Sequence, residues 1–196
     1  MDIHQYPDPI LRTRTAAVKV FDAALADLAQ EMLRTMRAST GLGLAATQVG
    51  DTRRVALVSS DGDAGHETVL VNPEILHTEG WQEAEEGCLS FPGIYIKIGR
   101  FLKVRVRYQD LQGACHEMAA EGLLARAVQH EVDHLDGRLI VDRMSPVQRV
   151  AQRRRLHELV QRRERRTGAA EGDESAGQVP RDSLEGRAAR GPQVPR

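Results

Sequence analysis

The stretch Gln129-His130-Glu131-Val132-Asp133-His134-Leu135-Asp136-Gly137 constrains this chain more than any other. On an α-helix, residues four apart share a face, so His130 and His134 can offer imidazole nitrogens to one divalent metal. Glu131 follows the first histidine, where a carboxylate can act as general base toward a metal-bound water. The run from Gly122 to Leu135 is rich in Leu, Ala and Val and contains no proline, and Gly137 supplies a stop just beyond it. The pattern therefore predicts a helix carrying both histidines.

Two imidazoles do not complete a catalytic site, which usually has three protein ligands and one open position. Three places can be checked. Where one protease pattern carries a further histidine, this chain has Ile140. Glu158 lies at a tolerable spacing downstream and would make the site that of a zinc endopeptidase, but pairing with Arg154, Arg155 or Arg162 explains it equally well. Cys88 lies upstream, in Glu85-Glu86-Gly87-Cys88-Leu89-Ser90. A thiolate with two imidazoles suits Zn²⁺, Fe²⁺, Co²⁺ or Ni²⁺. The residues alone leave Cys88 and Glu158 both open.

The 196 residues fit one domain with a single core. A hydrophobic content of 41% with 28% charged residues is that of a soluble globular protein. The net charge of -1 carries no overall nucleic-acid signal, and no DNA partner is expected. Two cysteines, Cys88 and Cys115, cannot make a disulfide scaffold. The N-terminus lacks a basic region followed by an apolar run, and no stretch approaches a membrane span, so a cytoplasmic protein is expected.

Along the chain, Leu25, Leu28, Met32 and Met36 recur at helical spacing behind Asp22 as N-cap, and this stripe reads as core. Gly41-Leu42-Gly43-Leu44-Ala45-Ala46-Thr47-Gln48 reads as a Gly-rich turn that lets backbone approach something closely; Gln48 alone there has an amide suited to fixing a carbonyl. Short strands are expected at Arg54–Ser60 and Thr68–Val71, and Thr78–Ala84 could be extended. Trp81 and Phe91 read as packing residues. Leu102–Tyr108 alternates, with Val104, Val106 and Tyr108 opposite Lys103, Arg105 and Arg107, which predicts a half-buried antiparallel strand. Its partner begins at Ala114 and places Cys115 as a structural, buried thiol. Leu123 and Ala127 share the histidine face and form an apolar wall or plain core.

Ser145-Pro146-Val147-Gln148 starts a last helix, with Ser as N-cap, Pro at N1 and Gln at N3. Between Arg149 and Arg166 it carries eight arginines against Glu158 and Glu164, which makes it a candidate RNA or ribosome contact or simply a solvated face. Residues 167–196 are expected to be a disordered tail outside a catalytic domain of residues 1–166.

Three segments in order, Gly41–Gln48, Glu86-Gly87-Cys88-Leu89-Ser90 and Gln129–His134, resemble the three signature motifs of the peptide deformylases. The resemblance runs from Tyr6-Pro7-Asp8-Pro9 to about Arg166. It implies an α+β fold with a central metal-binding helix surrounded by antiparallel β-sheets, and a C-terminal helix. It implies removal of the formyl group from N-formylmethionyl ends of nascent polypeptides, releasing formate. By motif match, Cys88, His130 and His134 would hold the metal, Fe²⁺ by preference, with Zn²⁺, Ni²⁺ or Co²⁺ able to substitute. Glu131 would be the catalytic acid and base, and Gln48 with the Leu89 backbone N–H would stabilise the oxyanion. Leu42 and Gly43 would align the peptide backbone, and Leu123, Ala127 and His130 would line the methionine pocket. Arg100 would pair with Glu86. The roles of Arg126 and Asp133 stay open.

Overall fold

The computed structural model describes residues 1–174, with side chains described to Arg166. It divides into two units, Met1–Arg163 and Glu164–Arg196; among the described residues the second consists only of the end of the last helix. The elements are helix α1 (Ala23–Ala38), strands β1 (Gly43–Ala45), β2 (Val55–Ser59), β3 (Glu67–Glu79), β4 (Gln82–Gly87), β5 (Tyr95–Arg100), β6 (Lys103–Gln109) and β7 (Cys115–Glu121), then helices α2 (Gly122–Leu135) and α3 (Pro146–Glu174). Five strands form an antiparallel sheet in the order β1-β2-β3-β6-β7, while β4 and β5 pair as a separate two-stranded ribbon. This is the α+β architecture expected.

Strand β2 shows how the helix with the histidines is held. All five of its residues are buried, because the period of two sends them to two different layers. Val55 and Leu57 meet Leu25, Leu28, Met32 and Met36 of α1. Ala56 and Val58 face the other way, toward Leu135 and toward Ala125 and Val128 of α2. The expected Leu and Met stripe is thus core, and Asp22 caps α1 by accepting from Leu25 N at 3.0 Å. The β6 alternation is also as expected: Val104 and Val106 are buried, and Lys103, Arg105 and Arg107 are exposed.

Helix α2 is buried on almost every face from Ala125 to Leu135. Buried polar groups must then find partners. Gln129 does so by accepting from Phe101 N and donating to Phe101 O and Ala125 O, which ties the helix to the chain leaving β5. Gly137 ends the helix at φ +73, with Arg138 N donating to Asp133 O at 2.8 Å. The start of α3 is a reciprocal cap, in which Ser145 N donates to Gln148 Oε1 and Gln148 N to Ser145 Oγ. Leu156 and Leu159 of α3 then pack on Leu11, Phe91 and Ile94. The helix continues past Arg166 to Glu174. The rest of the expected tail, 175–196, lies outside the described residues.

Four expectations need correction. The Gly-rich turn contains β1, an edge strand that among the described residues pairs only with β2. The strand expected to end at Val71 runs on to Glu79; Asn72, at φ +52, makes an irregularity whose side chain bonds both Val18 N and Val18 O. Cys115 is exposed, because β7 is the other edge of the sheet. Trp81 is 62% exposed and packs on the surface of β5 at Gly99 rather than in the core, whereas Phe91 is buried and stacks on Tyr6 with ring centroids 5.0 Å apart.

Candidate active site

Helix α2 meets the end of the β4–β5 ribbon where β4 gives way to Cys88. There Cys88, His130 and His134 each present one ligand atom, all within 4.8 Å of one another. Cys88 Sγ lies 3.2 Å from His134 Nε2. His130 directs Nδ1 at Glu86 Oε1, which leaves its Nε2 for the cleft. Both histidines are buried, and Cys88 is half-buried. Glu158 is elsewhere, on α3 and paired with Arg154 at 3.3 Å.

The donor set fits a divalent ion. One sulfur and two imidazole nitrogens converge, as in three-ligand sites that keep a further position open. His134 is buried with its ring charge disfavoured, chiefly by desolvation and then by His130, so it is a neutral imidazole able to ligate. Desolvation also opposes charge on His130, but Cys88 and Glu86 outweigh it and hold its pKa well above normal.

Glu131 completes the cleft. Its carboxyl is buried, and Oε2 has no hydrogen-bond partner among the described residues. Burial above all raises its pKa to about 7, which places proton exchange near neutrality. Gly43 lies against it: a Cβ at residue 43 would come within 2.8 Å of Glu131 Cδ.

Gln48 is buried with its amide fixed at both ends. Its Oε1 accepts from Ala45 N at 2.8 Å, so Nε2 turns toward the cleft, 3.2 Å from Ser90 Oγ and 3.7 Å from Cys88 Sγ. Leu42, Gly43, Leu89, Leu123 and Ala127 line the same cleft, whose volume is about 520 Å³, within the range of ligand pockets.

Behind the two histidines runs a buried chain of charge. Arg100 donates from Nε and Nη2 to the two oxygens of Glu86 at 2.8 and 2.7 Å, and from Nη1 to Asp133 at 2.8 Å. Arg143 grips Asp133 from outside at 2.6 and 3.0 Å. Arg126 lines the cleft and donates to Glu86 Oε2 at 2.9 Å and to Ile98 O at 3.0 Å. The Arg100–Glu86 pair matches the expectation. Asp133 and Arg126, left open by the sequence, both belong to this network. Ser90 carried no expected role, because its position in the sequence gives no sign that it meets the amide of Gln48.

A buried helix bringing two imidazoles and a carboxyl with one unpartnered oxygen to a thiol at the end of β4 is the build of a metal-dependent hydrolase. The family profile described as polypeptide deformylase matches residues 1–150. A peptide deformylase of Alkalilimnicola ehrlichii is 47% identical over 161 residues, covering 82% of this chain and 90% of that protein. One from Hahella chejuensis is 45% identical, covering 80% and 94%. A crystal structure of a peptide deformylase from Legionella pneumophila matches with a TM-score of 0.78 at 41% identity, covering 84% of this chain and 97% of that one. Peptide deformylase 1B of Arabidopsis thaliana, solved with an inhibitor, matches with a TM-score of 0.82 at 38% identity, covering 86% and 94%. The chain belongs to the polypeptide deformylase family. Its reaction is hydrolytic removal of the N-formyl group from nascent polypeptides, in a metal-dependent family. No helix among the described residues is long and apolar enough to cross a membrane.

Proposed function

We propose that Cys88, His130 and His134 hold one divalent ion, Fe²⁺ by preference with Zn²⁺, Ni²⁺ or Co²⁺ able to substitute, and that Glu131 moves the protons of deformylation. The observation that carries this reading is the buried Glu131 carboxyl, with one oxygen unpartnered, beside three converging ligand atoms. When bound, such an ion lowers the pKa of a coordinated water and offsets negative charge on the substrate oxygen. Glu131 accepts the water proton as the water oxygen bonds to the formyl carbon. The carbonyl oxygen gains charge beside Gln48 Nε2 and the Leu89 N–H, donors of the kind whose loss typically costs roughly 10²–10³-fold in rate. The C–N bond then breaks, and Glu131 returns its proton to the departing amine nitrogen. Formate and a free N-terminus result.

The edge strand supports the proposed alignment of substrate. Strand β1 has a partner on one side only, and an extended peptide can add to such an edge through its own backbone. Leu42 and Gly43 would supply those contacts, while Leu123 and Ala127 receive the first side chain. The exposed arginines of α3, Arg153 and Arg162 among them, suit a polyanionic ribosomal surface. Residues 1–166 would form the catalytic domain, and the chain would act in the cytoplasm.

The test is formate release from a formyl-Met tripeptide by protein loaded anaerobically with Fe²⁺ or, separately, with Ni²⁺, against the unformylated peptide. Fast release is expected with both ions; none from folded, metal-loaded protein would overturn the reading. Cys88→Ala is expected to weaken metal affinity by at least about 10²-fold, since loss of even an outer partner of a ligand costs 10–100-fold. Equilibrium dialysis giving unchanged affinity would remove Cys88 from the ligand set. Gly43→Ala is expected to lower kcat by about 10²-fold with the metal retained, because the new methyl must displace the Glu131 carboxyl. Unaltered kcat would show that this contact does not position Glu131.

A further inference from the structure

A second cavity, of about 570 Å³, lies on the other side of α2. Gln129, Val132 and Asp133 line it from the helix and Asp136 from just past its end, whereas Leu123, Ala127, His130 and Glu131 line the catalytic cleft. Its mouth carries two aromatic rings open to solvent. Trp81 is 62% exposed and Phe101 41%, and they meet edge to face with centroids 5.9 Å apart. The indole is nevertheless held in place. It lies flush on β5 at Gly99, where a Cβ would come within 2.7 Å of Trp81 Cε2. A ring supported from behind by backbone, with solvent in front, is a stacking platform rather than a core residue misplaced.

The charge around this platform is mixed, with arginines in excess. Arg14, Arg54, Arg100, Arg138 and Arg143 line the cavity against Glu74, Asp133 and Asp136. Three of the arginines are committed: Arg100 and Arg143 to Asp133, and Arg54 to Asp136 and Pro73 O. Arg14 is exposed and pairs with none of the described residues. The Arg138 side chain is 62% exposed, and its one ion contact among the described residues, to Asp133, is 3.9 Å long. Two guanidinium groups thus remain for an incoming anion. A flat ring on Trp81 and an anion on Arg14 and Arg138 are together the chemistry of a nucleotide.

We infer that this cavity is a nucleotide-binding site, in which a base stacks on Trp81 and its phosphate is held by Arg14 and Arg138. The base–phosphate unit can come from a free mononucleotide or from an unpaired nucleotide of RNA. The site is separate from the catalytic cleft, so it stands or falls independently of the proposed roles of Cys88, His130, His134 and Glu131.

Trp81 is the only tryptophan of the chain, so its fluorescence reports directly on the platform. The metal-loaded full chain is titrated with adenosine monophosphate, a short single-stranded RNA, adenosine and inorganic phosphate. Saturable quenching by the monophosphate or the RNA is expected, with adenosine and phosphate at least about tenfold weaker because each makes only half the contacts. RNA binding more than tenfold tighter than the monophosphate identifies RNA as the source; equal affinities identify the free nucleotide. The double variant Arg14→Ala/Arg138→Ala is expected to weaken the effect about tenfold or more while deformylation is unchanged, since both side chains are exposed, neither lines the cleft, and Asp133 keeps Arg100 and Arg143. Absence of quenching by either nucleotide ligand at millimolar concentration overturns the proposal. So does undiminished quenching in the double variant.

Discussion

Glu131→Gln is expected to keep the metal and the fold while lowering kcat by about 10²–10⁴-fold, the range that a positioned acid–base group contributes. The amide has the shape of the carboxyl it replaces, and Oε2 makes no hydrogen bond among the described residues that the new NH₂ would break. It cannot accept a proton from water or return one to the amine. Stability supplies a second, opposite signature. Burial raises the Glu131 pKa from 4.5 to about 7, so the metal-free folded state favours the protonated carboxyl. That contribution is fully present below pH 4.5 and is lost as pH rises through about 7. The glutamine variant has no such dependence. It should therefore gain stability relative to the parent chain across that interval, measured on metal-free protein. Turnover within about tenfold of the parent, with metal content equal, would show that another group moves the protons.

The sequence made the helix and its chemistry legible for a simple reason. His130, Glu131 and His134 are local: their relation follows from helical spacing, and Gly137 marks the stop. The β6 alternation was legible on the same grounds, because one face of that strand is buried. What could not be read is what depends on chain crossing. Gln48 was noticed for its amide, but only packing shows that Ala45 N holds Oε1 and turns Nε2 toward Cys88. Asp133 is a neighbour of two histidines by sequence, yet its partners are Arg100 and Arg143, one on β5 and one after α2. Trp81 was misread because a lone tryptophan in an extended run usually packs inward. Here the ring lies on the strand surface against Gly99, where the missing Cβ leaves room for it, and stays exposed. The third ligand was open on spacing alone, where Glu158 and Cys88 were comparable, and the resemblance pointed to Cys88; in the fold Glu158 pairs with Arg154, while Cys88 lies beside the two histidines.

Arg100→Met is expected to destabilise the protein by roughly 3 kcal/mol, the lower end of the range for removing one partner of a buried pair. The side chain is only 2% exposed and satisfies three carboxylate oxygens, two on Glu86 and one on Asp133. Met fills most of the volume, so the loss comes from charge left without its counterion rather than from a cavity. Arg126 still donates to Glu86, and Arg143 still holds Asp133, which is why the upper end of the range is not expected. For a chain of this size such a loss corresponds to a fall in Tm of roughly 6–12 °C. The effect should also reach the metal. Glu86 holds His130 Nδ1, and a Glu86 carboxylate drawn toward Arg126 alone no longer fixes that ring, so metal affinity should fall about 10–100-fold. Glu74→Gln, on an exposed pair with Arg107 at 3.7 Å, serves as the control and should change stability by no more than about 0.5 kcal/mol. If Arg100→Met matches that control in both Tm and metal affinity, the buried chain of charge neither supports the fold nor orients His130. If it loses stability alone, Glu86 is held well enough by Arg126, and the orienting function passes to that second arginine.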